Sequence, residues 1–178
     1  MKYYEKTVKS ETLFKGRVLT LRHDTVSLCN GKEASREIVE HPGGVGIVAK
    51  TPEGKIILVN QFRKPFEKEI FEIPAGKLEY GEDHRECGMR ELEEEAGYKA
   101  EVFEYLGGYY VSPGFTNEVI HVYFADKLTK TQVNPDEDEF LDILELEPEK
   151  VYKMVCDNEI CDAKSVIGLL LTKNKFEV

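Results

Sequence analysis

Polar and apolar residues alternate along LTLRHDTVSLCNGKEASREIVEH, residues 19–41, on both sides of Asn30-Gly31. A period of two is strand patterning, and an Asn-Gly step between two such runs is the strongest short hairpin signal. Pro42-Gly43-Gly44 then breaks the chain. GIVAK (46–50) and KIILVN (55–60) read as apolar strands separated by a TPEG turn. EIFEIPAGKL (69–78) reads as one further strand, and EVFEYLGGYY (101–110) and EVIHVYFADKL (118–128) as two strands flanking the loop VSPGFTN. After a polar loop at 130–139, FLDILEL (140–146) returns to strand.

The period changes to helical in three places. Asp83 to Ala96 reads as one helix stopped by Gly97, with Leu92, Met89 and Ala96 as the expected buried stripe. Glu91, Glu94 and Glu95 fall within an arc of about 100° roughly opposite that stripe. PEKVYKMVCDN (148–158) carries Pro148 near its first turn, and Asp162 is placed to N-cap AKSVIGLLLTKN. No repeat or low-complexity segment is present. The expectation is an α+β chain in two parts: an N-terminal β extension over 1–41, and a mixed sheet with helices on its faces over 42–178.

Composition narrows the partners. The chain has 178 residues, 41% of them hydrophobic, including nine Phe and nine Tyr, enough for a real core. Lys+Arg 24 against Asp+Glu 34 gives a net charge of −10, which disfavours attraction to nucleic acid or an anionic membrane. An anionic substrate would need a cation to mediate its binding. Cys29, Cys87, Cys156 and Cys161 form no CxxC pair and read as reduced thiols. The N-terminus MKYYEKTVKS has no apolar core, and no apolar run approaches the ~18 residues needed to span a membrane, so a cytoplasmic protein is expected. His23, His41, His84 and His121 are isolated in the sequence.

The acidic helix raises the sharpest chemical question. Its three glutamates occupy the last turns, where the helix dipole disfavours each anion by ~0.3–1 kcal/mol, and Glu91/Glu95 adds like-charge repulsion at i,i+4. Two readings fit the helix alone: a solvated acidic face, or convergent carboxylates forming a hard-oxygen site for Mg²⁺ or Mn²⁺.

The surrounding spacing bears on that choice. Gly76, five residues, Glu82, seven residues, then Arg90-Glu91-Leu92-Glu93-Glu94-Glu95-Ala96-Gly97-Tyr98 matches G-x5-E-x7-R-E-U-x-E-E-x-G-U at every defined position. The sequence therefore resembles the Nudix hydrolases, which cleave a nucleoside diphosphate linked to another group. Pro113, 15 residues beyond the box, together with SREIVEHPGG, NQFRKPFEKEIFEIPAGKLEYGE, SPGFTNE, DEDEF and DAKSVIGLLL, is similar to the bacterial ADP-ribose pyrophosphatase group over nearly the whole chain.

The resemblance implies a Nudix fold, a mixed β-sheet sandwiched between helices, with an N-terminal β-sheet extension. It implies hydrolysis of ADP-ribose to AMP and ribose 5-phosphate with Mg²⁺, Mn²⁺ being a substitute; the alternative is another nucleoside diphosphate sugar or a broad ADP-sugar range. By resemblance, Glu91, Glu94, Glu95 and the Ala75 carbonyl hold metal, with Glu94 also counted among the catalytic residues. Arg90 holds the glutamates in place, and Glu82 supports the turn into the helix. Arg63 and Arg36 bind substrate, Ser112 and Gly114 face the ribose, and Glu118 lies near the metals or terminal ribose. A glutamate in Asp136-Glu137-Asp138-Glu139 activates the water: Glu139, or Glu137 if the alignment slips. The group also implies a homodimer exchanging the N-terminal region.

Overall fold

The computed structural model describes residues 1–134 and 140–176. The chain forms two compact units, Met1–Gly43 with Tyr110–Val119, and Gly44–Tyr109 with Ile120–Val178.

In the first unit, β1 (Lys6–Lys15), β2 (Thr20–Ser27) and β3 (Glu33–Glu40) form an antiparallel sheet in the order β1-β2-β3. The Asn-Gly signal is realised as a three-residue loop. Gly31 N–H donates to Leu28 O at 2.9 Å, Leu28 N–H donates to Lys32 O, and Gly31 takes φ 80°. Two strands were expected here; β1 is the third. Its alternation is weak and every one of its residues is exposed, so periodicity gave it no signal. Of the apolar residues of this hairpin region, Val26 is buried, Leu19, Leu21, Leu28 and Ile38 are half-buried, and Val18 is exposed.

The second unit is built on β4 (Gly44–Ala49), buried along its whole length. It runs parallel to β9 (Val119–Lys130) and antiparallel to β7 (Ala75–Lys77), in a mixed sheet ordered β7-β4-β9-β8, where β8 is Tyr98–Tyr110. A second, antiparallel sheet is ordered β10-β5-β6, from Leu141–Leu146, Ile56–Arg63 and Lys68–Glu72. Alternation along β4 divides the core. Val45, Ile47 and Ala49 pack with Cys87, Leu92 and Ala96 of α1 (His84–Ala96). Val48 packs with Val151 and Met154 of α2 (Pro148–Cys156) and Leu169 of α3 (Ala163–Thr172). The sheet is thus covered by helices on both faces, as expected.

The stretch 69–78 departs from expectation by forming two strands in different sheets. β6 ends with Glu72 opposite Val59, and β7 begins with Ala75 opposite Gly46. Pro74 lacks the N–H that would continue the first ladder, and its carbonyl accepts from Ile47 N–H at 2.8 Å instead. This change of sheet delivers the backbone to the acidic helix.

Candidate active site

Helix α1 begins at an Asp83 cap, whose Oδ1 accepts from Arg85 and Glu86 N–H at 2.9 and 3.1 Å. It ends at Gly97, in the left-handed conformation at φ 70°. Its buried residues are Cys87, Gly88, Glu91, Leu92, Glu95 and Ala96. On a helical wheel these fill one continuous arc of about 180°, so Glu91 and Glu95 lie on the core side, beside Leu92. The expectation that Met89 completes the apolar stripe is corrected: Met89 is exposed, and the buried face extends from Leu92 in the other direction, over Glu95, Glu91 and Cys87.

Backbone from the sheet crossing accounts for that burial. Ala75 N–H donates to Glu95 Oε2 at 2.9 Å. Glu91 lies so close to the next residue that a methyl group on Gly76 would sit 1.9 Å from its Cδ. Only glycine permits this approach. Residues 73–75 are each pinned by a different element: Ile73 N–H to Ser165 Oγ of α3, Pro74 O to β4, and Ala75 N–H to α1.

Arg90 ties the carboxylates together. Its Nη1 lies 2.9 Å from Glu91 Oε1 and 2.8 Å from Glu94 Oε2, and its Nη2 lies 3.3 Å from Glu82 Oε1. Burial works against the Arg90 charge, but Glu91 and Glu94 outweigh it and raise its pKa. Glu82 in turn accepts from Glu79 N–H at 2.9 Å, fastening the turn before the helix. Cys87, also in the box, is pushed up to about 12 by burial and the neighbouring Glu82 and Glu91, so it stays a thiol. Among the described residues, no three His, Cys, Asp or Glu side chains are gathered as a metal cage; Glu91 and Glu94 are turned to Arg90 and Glu95 to Ala75 N–H. The donor set itself, three carboxylates within two turns of one helix, has the hard-oxygen chemistry of a Mg²⁺-type site.

Arg63, at the end of β5, donates from Nε and Nη2 to both oxygens of Glu72 at 2.6 and 2.8 Å. That pairing raises its pKa, with Glu95 and Asp162 adding to the effect, so its charge is within electrostatic reach of the box. Burial disfavours the Glu72 anion, but Arg63 and Lys164 outweigh it and hold its carboxyl below the ordinary 4.5.

Arg36, Ser112, Gly114 and Glu118 all belong to the first unit. Arg36 pairs with Glu5, at 2.9 Å through Nε. The loop carrying the other three is laid against β3: Val39 N–H donates to Phe115 O at 2.7 Å, and Asn117 Oδ1 accepts from His41 N–H at 2.9 Å. Glu118 lies 3.4 Å from His41 Nδ1. Ala75, Glu91, Glu94, Glu95 and Arg63 belong to the second unit. Glu137 and Glu139 lie outside the described residues. Asn134, the last described residue before them, donates its N–H to the Glu94 carbonyl at 3.0 Å.

Sequence reasoning missed Glu72, Lys164 and Ser165. One signal existed, since Glu72 shares a strand face with buried Ile70. It also read His84 and His121 as isolated. They stack at 3.9 Å and 7° although 37 positions apart in the chain, with Tyr105 Oη 3.0 Å from His121 Nδ1.

Comparison with known proteins agrees with this architecture. Residues 40–160 match the NUDIX domain and residues 5–39 the nucleoside diphosphate sugar hydrolase N-terminal domain. The chain is 49% identical over 169 residues to a methanol dehydrogenase activator of Bacillus methanolicus, covering 94% of this chain and 91% of that protein. It is 47% identical over 167 residues to an ADP-ribose pyrophosphatase of Bacillus subtilis, covering 93% and 90%. A crystal structure of an ADP compounds hydrolase superposes with a TM-score of 0.84 at 21% identity, over 99% of this chain and 95% of that one, and shares its fold. With its box intact and its helix, glycine and arginine in these relations, the chain belongs to the Nudix family of hydrolases.

Proposed function

We propose that this Nudix hydrolase cleaves the diphosphate of ADP-ribose to AMP and ribose 5-phosphate, using Mg²⁺ with Mn²⁺ as a substitute. The observation that carries the chemistry is the burial of Glu91 and Glu95 against the Ala75–Gly76 backbone, at the helix end that least favours anions. Similarity to an ADP-ribose pyrophosphatase over most of both chains supports the substrate. The match of residues 5–39 supports the broader class of nucleoside diphosphate sugars, and a broad ADP-sugar range is the second reading.

Glu91, Glu94, Glu95 and the Ala75 carbonyl would hold the cation. Bound there, a divalent ion supplies charge neutralisation at the phosphates and orientation of a water. Arg90 keeps the glutamates oriented, Arg63 contacts the diphosphate, Arg36 helps bind substrate from the extension, and Ser112 and Gly114 face the ribose. Glu118 lies near the metals or terminal ribose. Glu139 takes the proton from the attacking water, Glu137 being the alternative.

We further assign residues 1–41 as an extension exchanged between the subunits of a homodimer, and residues 42–178 as the catalytic domain. Exposed apolar side chains on β1 (Val8, Leu13 and Phe14) support that assignment. The assigned location is cytoplasmic, a reading that the four free cysteines support; among the described residues no helix is long and apolar enough to cross a membrane.

The test is product release across ADP-ribose, ADP-glucose, GDP-mannose, NADH, ATP and diadenosine compounds with Mg²⁺. ADP-ribose should give the highest kcat/KM with AMP as product, and Glu94→Gln should lower kcat by at least about a hundredfold. Faster turnover of another sugar moves the assignment to that sugar; full metal-dependent activity in Glu94→Gln removes the metal assignment.

A further inference from the structure

The Glu72 carboxylate is 3% exposed and serves two cations, the bidentate Arg63 and the ammonium of Lys164. Lys164 is itself 12% exposed and lies in the first turn of α3, about a hundred residues from Arg63 in sequence. Its second partner is Asp162, at 3.0 Å. That carboxylate is already engaged by the cap of α3, accepting from Ser165 N–H at 3.0 Å and Ser165 Oγ at 2.5 Å.

The charges in this cluster decide what Arg63 can offer a ligand. A guanidinium paired with a carboxylate of its own is electrically neutral at a distance. Here Asp162, the second partner of Lys164, completes a cluster of two cations and two carboxylates with no net charge, and without Lys164 the same cluster around Arg63 would carry a net negative charge. Glu72 takes only two of the five N–H donors of Arg63, and 39% of the Arg63 side chain is exposed. Lys164 also fixes where Glu72 points, and Glu72 fixes the plane of the guanidinium.

We propose that Lys164 is a positioning residue for substrate binding. By sharing the Glu72 carboxylate, it keeps the surroundings of Arg63 from turning net negative and leaves the guanidinium with an oriented donor edge for an anionic diphosphate. The reading of Arg63 as the diphosphate contact underlies this role. The sharing is also physically needed, because a buried carboxylate bound to two cations is better satisfied than one bound to a single cation that must also serve a ligand.

Steady-state kinetics on the full chain with ADP-ribose and Mg²⁺ tests it. Lys164→Met should raise KM about tenfold while changing kcat less than about twofold, the split expected when binding rather than the chemical step is weakened. Lys164→Arg, which keeps the charge, should return KM to within about threefold of the parent. In an Arg63→Gln background, Lys164→Met should add no more than about twofold, since the two act as a unit. A folded Lys164→Met protein with parental KM overturns the proposal, as does a full tenfold effect in the Arg63→Gln background. If Arg63→Gln alone leaves KM unchanged, the diphosphate role of Arg63 falls first, and the Lys164 role with it. Circular dichroism establishes folding. Should Lys164→Met lose its native spectrum, Lys164→Gln, an uncharged donor to Glu72, carries the same comparison.

Discussion

At the scale of single residues, the site depends on close approaches that leave no spare room. Gly76→Ala would place a methyl group inside the Glu91 carboxylate, so the glutamate or the β7 backbone must move. The expected outcome is a kcat loss of at least about tenfold with ~1–3 kcal/mol of lost stability, measured by kinetics and thermal melting; parental kcat would show that Glu91 is not held where the activity needs it. The His84–His121 stack gives a different kind of prediction. Burial and the neighbouring His84 hold His121 below its ordinary 6.5, so the unfolded chain takes up this proton at a higher pH than the folded one. The stability it contributes is complete above about pH 6.5 and is lost as the pH falls through the depressed folded value. Melting temperatures from alkaline to mildly acidic pH should fall less steeply in His121→Gln than in the parent; identical slopes would refute the coupling.

At the scale of elements, α1 is positioned by its ends as much as by its buried face. Asp83 satisfies the first N–H groups, and the C-terminal end is closed by Gly97 and by residues 131–134, with Thr131 N–H donating to Gly97 O at 2.8 Å. Gly97→Ala would force a side chain into the left-handed region and place its methyl 2.8 Å from Val133 Cγ2. That should cost ~1–2 kcal/mol, or about 2–4 °C in Tm per kcal/mol for a chain of this size. An unchanged Tm would mean that the helix end readjusts without strain. The same end of α1 carries the Glu94 carbonyl that accepts from Asn134 N–H.

At the scale of the whole molecule, the proposed substrate-binding residues are divided between the two compact units. Arg36, Ser112, Gly114 and Glu118 lie in one unit, Arg63 and the box glutamates in the other. The β1 strand is exposed throughout and bears Val8, Leu13 and Phe14, more apolar surface than an isolated three-stranded sheet needs to leave in water. A dimer exchanging residues 1–41 would use that surface. Sedimentation at micromolar concentration should give twice the chain mass, and mixing inactive Arg36→Ala with inactive Glu94→Gln protein should restore part of the activity after subunit exchange. A fully active monomer of 20.4 kDa would end the exchange proposal.

The box, the helix and both its ends, the hairpin turn and most strands were legible in the sequence, because each rests on local signals: capping residues, periodicity, and glycine where the backbone needs it. The sequence also determined the chemistry of the site, since the donor types and their spacing along one helix are properties of the chain itself. It could not determine which side of α1 is buried, because carboxylates are buried there by contact with backbone that precedes the helix, Ala75 for Glu95 and Gly76 for Glu91. Nor could it join Arg63, Glu72 and Lys164, or His84 and His121. Those pairs meet only when β5, β6 and α3, or α1 and β9, are packed together. Local patterns report what each segment prefers; which buried charges compensate one another is decided by long-range packing, where an unpaired ion is too costly to leave and its partner can come from any element the fold brings near.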